Sequence, residues 1–331
     1  MEEEKNFEQK PAPATHQETT VETAERMIAE GKEEMADLLG KIETAYQERM
    51  KKTKELPREK KRMLILDCSD SVKLGSLMVL SDERLNASNA DVVDVVKKIE
   101  DLPESLENVA GVVISGSGAD IKDKEKPGYE WIAKIEKFVQ KAREEKIPVL
   151  GVCFGIQMQA DMQGREVPQN EGGREAGVWK TSIYRDETMP QHPIFKDIEF
   201  QKDPKSDKES AMIETLGSHG FRAGYGKDEK TQLYGFHYTD QDHADPMIEI
   251  SDNGNSVGLQ FHPELSSELG IDLLEAVSKV RYQILKDAGR DSEKIYDELR
   301  KYRETHDLRD NTNLKFWNNF IDWAFSKSQE K

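Results

Sequence analysis

The chain is 331 residues long, 36% hydrophobic and 34% charged, with a formal net charge of −17. That length accommodates one α/β domain of about 200 residues with extensions, or two small domains. The acidic balance disfavours a nucleic-acid partner, and no run approaches the roughly 18 apolar residues that a membrane span needs. Two cysteines, Cys68 and Cys153, exclude a disulfide framework and a four-cysteine zinc site.

The opening MEEEKNFEQK has no apolar signal core, so cytoplasmic residence is the expectation. Residues 1–20, polar and carrying Pro11 and Pro13, read as a disordered acidic tail. Residues 21–61 read as a helical extension. Met27, Ile28, Met35, Leu38, Leu39, Ile42 and Tyr46 recur mostly at spacings of three, four and seven, which predicts a long amphipathic helix or a helical pair packed on the rest of the chain. An α/β domain is expected from 62 to 331. MLILD (63–67), GVVISGSG (111–118) and IPVLGVCFG (147–155) are short apolar runs ending in turns, as in buried parallel strands. The stretch from Ala90 to Ile99 reads helical, and residues 129–146 carry their apolar groups on one helical face. Strands alternating with helices predict βαβ units, with the loops at 67–70, 115–120 and 151–155 converging at the carboxyl ends of a parallel sheet.

Beyond residue 165 the pattern is weaker. Glu166 to Asp186 reads as hairpin strands, 201–210 as a charged surface loop, and Leu233 to Ile250 as strand. SVGLQFHPE (256–264) is a further buried strand leading into a loop. Residues 270–306 read helical, within an insertion at about 265–312, and NLKFWNNFIDWAFS (313–326) is an amphipathic closing helix.

Three stretches carry chemistry. Gly151-Val152-Cys153-Phe154-Gly155 has the form of a nucleophile elbow, in which a sharp strand-to-helix turn exposes the central side chain. A helix starting near Phe154 would aim its free N–H groups and positive dipole end at the sulfur, favouring thiolate. Taken alone, the pentapeptide equally fits a buried structural cysteine. In Gln260-Phe261-His262-Pro263-Glu264, an imidazole could serve as base and a carboxylate could fix its tautomer. Pro263 keeps the chain extended, so both can face one crevice; alone, His262 also fits a surface histidine in a turn. Ser115-Gly116-Ser117-Gly118 is a strand-end loop whose N–H groups could hold an oxyanion, or merely a turn. His237, Asp240, Asp242, His243 and Asp245 match no ligand spacing and read as a polar surface loop, so no metal site is expected. Cys68 reads as an apolar filler. With no phosphate- or dinucleotide-binding glycine pattern, no cofactor is expected.

In combination these stretches resemble the class I (triad) glutamine amidotransferase family. GVCFGIQ (151–157) is similar to its G-x-C-x-G-x-Q, GLQFHPE (258–264) to its G-x-Q-x-H-P-E, VVISGSGAD (112–120) to its oxyanion strand and loop, and SHG (218–220) to a segment of GMP synthetase-type domains. The nearest flavour is the stand-alone branch that includes plant γ-glutamyl peptidases. The resemblance implies a three-layer, flavodoxin-like parallel-sheet fold with added N- and C-terminal helices. It implies Cys153 as nucleophile, His262 as base and Glu264 as its orienting group. Gly116, Ser117, Gly118 and Phe154 would supply the oxyanion hole, and Gln157, Glu175 and His219 the substrate contacts. The expected activity is hydrolysis of glutamine through a γ-glutamyl thioester, with a separate synthetase subunit taking the ammonia. The alternatives are a stand-alone hydrolase of γ-glutamyl peptides or conjugates, and a non-catalytic binding protein that keeps the fold. Gly-Ser-Gly at 116–118, where the family often has Gly-Gly-Pro, is a departure, and 1–60 and 265–312 have no counterpart in the minimal domain.

Overall fold

Strand β1 (Arg62–Asp67) forms the centre of a parallel group: β2 (Ala90–Asp94) on one side, β3 (Val109–Ile114) on the other, then β4 (Val149–Val152) and β10 (Ser256–Leu259). The structure is a computed structural model and describes residues 20–69, 72–170, 175–185, 192–202, 209–224, 231–238, 244–287, 289 and 291–330. Beyond β10 the same sheet continues antiparallel through β9 (Ala244–Ser251), β8 (Gln232–Tyr238), β5 (Glu175–Arg185), β7 (Glu209–His219) and β6 (Gln201–Lys202). The expected parallel sheet is therefore one half of a ten-stranded mixed sheet, and the predicted hairpin strands form the other half. Of the acidic tail expected at 1–20, all but Thr20, which opens the first helix, lies outside the described residues, as do 203–208 of the charged loop expected at 201–210.

β1 and β3 are buried along their whole length because the sheet is covered on both faces. Alternation sorts their side chains into two cores. Met63, Ile65 and Val113 pack with Phe316, Trp317, Phe320 and Ile321 of α8 (Thr312–Gln329). Leu64, Leu66, Val112 and Ile114 pack with Trp131, Ile132, Ile135 and Val139 of α3 (Glu130–Glu144) and with Phe154 and Ile156 of α4 (Phe154–Met162).

A third core lies over the site end of β5 and β7. It joins Ile42 of α1 (Thr20–Lys52), Leu74 and Leu77 of α2 (Leu74–Leu80), Leu273, Leu274 and Val277 of α5 (Glu268–Val280), and Ile295 and Leu299 of α7 (Ser292–Thr305), with Ala176 and Leu216 beneath. α6 (Tyr282–Asp287) links α5 to α7. α1 is a single helix packed within the chain against α5 and α2, where Lys279 and Glu34 pair at 2.6 Å.

One element reads differently from its pattern. Residues 90–99 fold as β2 and a short connection into a 3-10 turn at Ile99–Asp101. Val92, Val93, Val95 and Val96 sit at helix-compatible spacings, yet their branched Cβ atoms favour the extended chain, and pairing with β1 decides the outcome. The helix of this unit is α2, earlier in the chain.

Candidate active site

β4 ends at Val152 and α4 begins at Phe154, so Cys153 alone makes the turn between them. It does so at φ 51°, ψ −96°, a conformation disfavoured for any residue with a side chain. The flanking glycines make it feasible. A Cβ at Gly151 would sit 2.5 Å from the Gly155 carbonyl, and one at Gly155 would sit 2.7 Å from the Ile114 oxygen. The Cys153 N–H donates to the Leu259 carbonyl at 2.7 Å, tying the elbow to β10.

β10 carries the second group to the same rim. The His262 N–H donates to the Leu216 carbonyl of β7 at 2.8 Å, and Pro263 opens a 3-10 turn over Pro263–Ser266 that folds Glu264 back. His262 Nδ1 and Glu264 Oε1 lie 2.7 Å apart, and the Cys153 sulfur is close enough to act on the ring's charge. All three groups are almost wholly buried. Burial disfavours the imidazolium, but the Glu264 carboxylate and the Cys153 sulfur outweigh it and hold the His262 pKa at about 10. The charged form of the ring is therefore the favoured one.

The loop after β3 reaches the ring from the other side. A Cβ on Gly116 would lie 2.5 Å from His262 Cε1, so only a bare backbone fits there. Ser115 Oγ accepts the Cys68 N–H at 2.9 Å and donates to the Gly116 carbonyl, and Ser117 Oγ accepts the Ala119 N–H. These bonds fix the curve of Gly116, Ser117 and Gly118. Phe154 opens α4, and its N–H is among those a helix leaves without an internal partner.

Gln157 lies on α4, and Glu175 and His219 lie on β5 and β7. The Gln157 Nε2 donates to the Phe221 carbonyl at 2.8 Å. His219 bonds Asn170 through Nδ1 at 3.0 Å, lies 4.9 Å from the Trp179 ring and stands opposite Glu175 in the β5–β7 register. Cys68 is fully buried, and burial pushes its thiol pKa well up, which fits a filler.

Two further groups lie near the sulfur. The Ser218 carbonyl is 4.0 Å from Cys153 Sγ, and Arg281 Nη1 donates to Ser218 Oγ at 2.7 Å. The SHG segment drew attention to its histidine, whereas Ser218 acts through its main chain. Arg281 sits in a highly charged helical stretch with nothing to mark it.

Among the described residues, no group of three or more His, Cys, Asp or Glu is placed to hold a metal ion. Of the 237–245 cluster read as a loop, His237 and Asp245 instead face each other across β8 and β9, and Asp245 pairs with Arg222. Asp240, Asp242 and His243 lie outside the described residues. No described helix is long and apolar enough to cross a membrane.

Fold and rim together define an α/β hydrolytic enzyme of the amidotransferase type. The chain belongs to the class I glutamine amidotransferase family, whose model matches residues 64–276. It is 26% identical over 202 residues to gamma-glutamyl peptidase 2 of Arabidopsis thaliana, covering 60% of this chain and 69% of that one. It is 25% identical over 161 residues to the glutamine-hydrolyzing GMP synthase of Shewanella amazonensis, covering 47% and 26%. In fold it is similar to a glutamine amidotransferase from Thermotoga maritima, with a TM-score of 0.57 at 18% identity, covering 83% of this chain and all of that one.

Proposed function

We propose that the chain hydrolyses γ-glutamyl amides through Cys153, His262 and Glu264, with glutamine as the simplest substrate. The observation that carries this reading is the convergence at the strand ends of the Cys153 elbow with His262, whose ring is held by Glu264 at 2.7 Å.

In this reading the Cys153 thiolate adds to the side-chain carbonyl carbon, and the oxygen takes the negative charge. The N–H of Phe154 and one from Gly116, Ser117 or Gly118 stabilise it. The intermediate collapses by breaking the C–N bond while the His262 imidazolium gives its proton to the departing nitrogen. A γ-glutamyl thioester and a free amine result. His262, now neutral, takes a proton from water, whose oxygen adds to the thioester carbon. Collapse releases glutamate and returns the thiolate–imidazolium pair. Glu264 holds Nδ1, so that Nε2 faces the reacting atoms, and it balances the ring's charge. Gln157, Glu175 and His219 shape the glutamyl side of the rim.

With glutamine the freed amine is ammonia, and a separate synthetase subunit consumes it. The organisation proposed with this is a helical extension at 21–61 on a domain at 62–331, with a helical insertion at about 265–312.

The test is glutamate release from glutamine and from γ-glutamyl dipeptides, together with mass-spectrometric mapping of a glutamine-analogue chloroketone. Turnover of at least one substrate and an adduct on Cys153 are expected. An adduct on Cys68, or none, sinks the assignment.

A further inference from the structure

Ser115 follows β3 and is wholly buried, and its hydroxyl is engaged twice. It accepts the Cys68 N–H at 2.9 Å and gives its one proton to the Gly116 carbonyl at 3.0 Å. We infer that Ser115 is a positioning residue for the oxyanion: it turns the Gly116–Ser117 peptide so that the Ser117 N–H, and not that of Gly116 or Gly118, faces the reacting carbonyl. This rests on the reading of Cys153 as nucleophile given above and assigns a role to a side chain outside that triad.

Three observations converge. First, peptide geometry fixes the direction. Among the described residues no peptide bond is cis, so the Ser117 N–H points opposite to the Gly116 carbonyl across one planar unit. With the carbonyl drawn inward to a buried hydroxyl, the N–H is turned outward, to the cleft that Ser117 and Gly118 line with His262. Second, this unit stands at the chemistry. A Cβ on Gly116 would lie 2.5 Å from His262 Cε1, so the main chain passes directly against the imidazole. Third, the hydroxyl is itself held from fixed points. The Ser115 N–H donates to the Leu66 carbonyl at 3.1 Å, and the Cys68 N–H that holds Ser115 Oγ comes from the same end of β1. The following turn is closed separately, by Ser117 Oγ accepting the Ala119 N–H at 3.1 Å. Without the Ser115 hydroxyl, the Gly116 carbonyl and the Cys68 N–H both lose this partner, and a glycine at 116 leaves the peptide plane free to turn. The donor is then present but not aimed, and an oxyanion hole stabilises charge only through donors already in place.

The test sets turnover against a reaction of the same sulfur that makes no oxyanion. Iodoacetamide alkylates Cys153 by displacing iodide: a C–S bond forms, a C–I bond breaks, and no oxygen gains charge. Both rates are measured on the full chain for the natural sequence, Ser115→Ala and Ser115→Thr, using folded protein recovered by gel filtration and whichever of glutamine and γ-glutamyl-glycine is turned over faster. Ser115→Ala is expected to lower kcat by about tenfold to a hundredfold, with KM and the alkylation rate each within about twofold of the natural chain. Ser115→Thr keeps the hydroxyl and should restore most of the kcat. If Ser115→Ala does not fold, Ser115→Cys, whose thiol donates weakly, takes its place with the same expected loss, and peptide mapping separates alkylation at 115 from that at 153. The inference is overturned if removing the hydroxyl leaves kcat within about twofold. It is overturned equally if kcat and alkylation fall by the same factor. That is the mark of a merely structural role, because a Cβ at Gly155 would lie 2.7 Å from the Ile114 oxygen, so a loosened end of β3 disturbs the elbow and slows both reactions. These outcomes leave the triad reading standing. No turnover by the natural chain, or full turnover by Cys153→Ala, brings down both.

Discussion

At Cys153 a single residue turns the chain from strand to helix at a positive φ, and that conformation costs about 1–3 kcal/mol for a residue with a Cβ. Glycine pays no such penalty. Cys153→Gly is therefore expected to unfold in urea at a free energy about 1 kcal/mol above Cys153→Ala, with both losing at least about a thousandfold in turnover. Equal stabilities would mean that the elbow is relaxed. Glu264 invites a different experiment, because it is one of two groups that hold the His262 pKa at about 10 against burial. Glu264→Gln should move the alkaline limb of kcat/KM to lower pH by about one unit or more; an unmoved limb would assign the raised value to the sulfur alone. Stability follows the same proton. A pKa raised on folding means that the native ring holds its proton more tightly, so this contribution is complete below the unfolded value near 6.5 and is lost as pH rises toward 10. At this scale the sequence was most legible where spacing itself encodes geometry, as in Gly151 and Gly155 about the elbow, whereas Pro263, read as keeping the chain extended, opens the 3-10 turn that folds Glu264 back toward His262. It was silent on Arg281, because one more arginine does not stand out in a charged helix, and it marked SHG (218–220) without signalling the Ser218 carbonyl, because a main-chain group leaves no trace in side-chain identity.

Among the elements, continuous apolar runs marked β1, β3 and β4 without ambiguity, since a strand covered on both faces needs no alternation. β2 reads as helix because Val92, Val93, Val95 and Val96 sit at helix-compatible spacings, and the choice of strand lies with pairing to β1, which a local pattern cannot include. The long helix α1 was legible as amphipathic, but its seat on α5 was not. That seat is close at Gly31, where a Cβ would lie 2.6 Å from Lys279 Cβ and 2.7 Å from the Val280 nitrogen. Gly31→Leu should wedge the two helices apart and lower the unfolding free energy by about 1–3 kcal/mol in urea titration. A neutral result would mean that α1 contributes little to the fold.

Taken as a whole, the molecule is a sheet that changes character at β10: parallel and doubly covered on one side, antiparallel on the other. The parallel half follows from the βαβ pattern; the order of the antiparallel half depends on pairings between distant segments that no local signal fixes. α8 returns the end of the described chain to the parallel half and sets Phe316 edge-on to Phe261, 5.5 Å between centroids, next to the residue that supplies the imidazole. Phe316→Ala should cost about 3–5 kcal/mol in chemical unfolding, because the ring is fully buried in the core under β1 and β3. A loss under about 1 kcal/mol would show that the site end of the core collapses to fill the gap. The position of β10 has one more consequence. This strand lies between β4 and β9, and it brings in the imidazole about 110 residues after the thiol. A nascent polypeptide emerging from the ribosome thus presents its sulfur long before any partner exists to activate it. On the proposed mechanism, reactivity therefore waits until this interior strand, made late, is seated in the sheet.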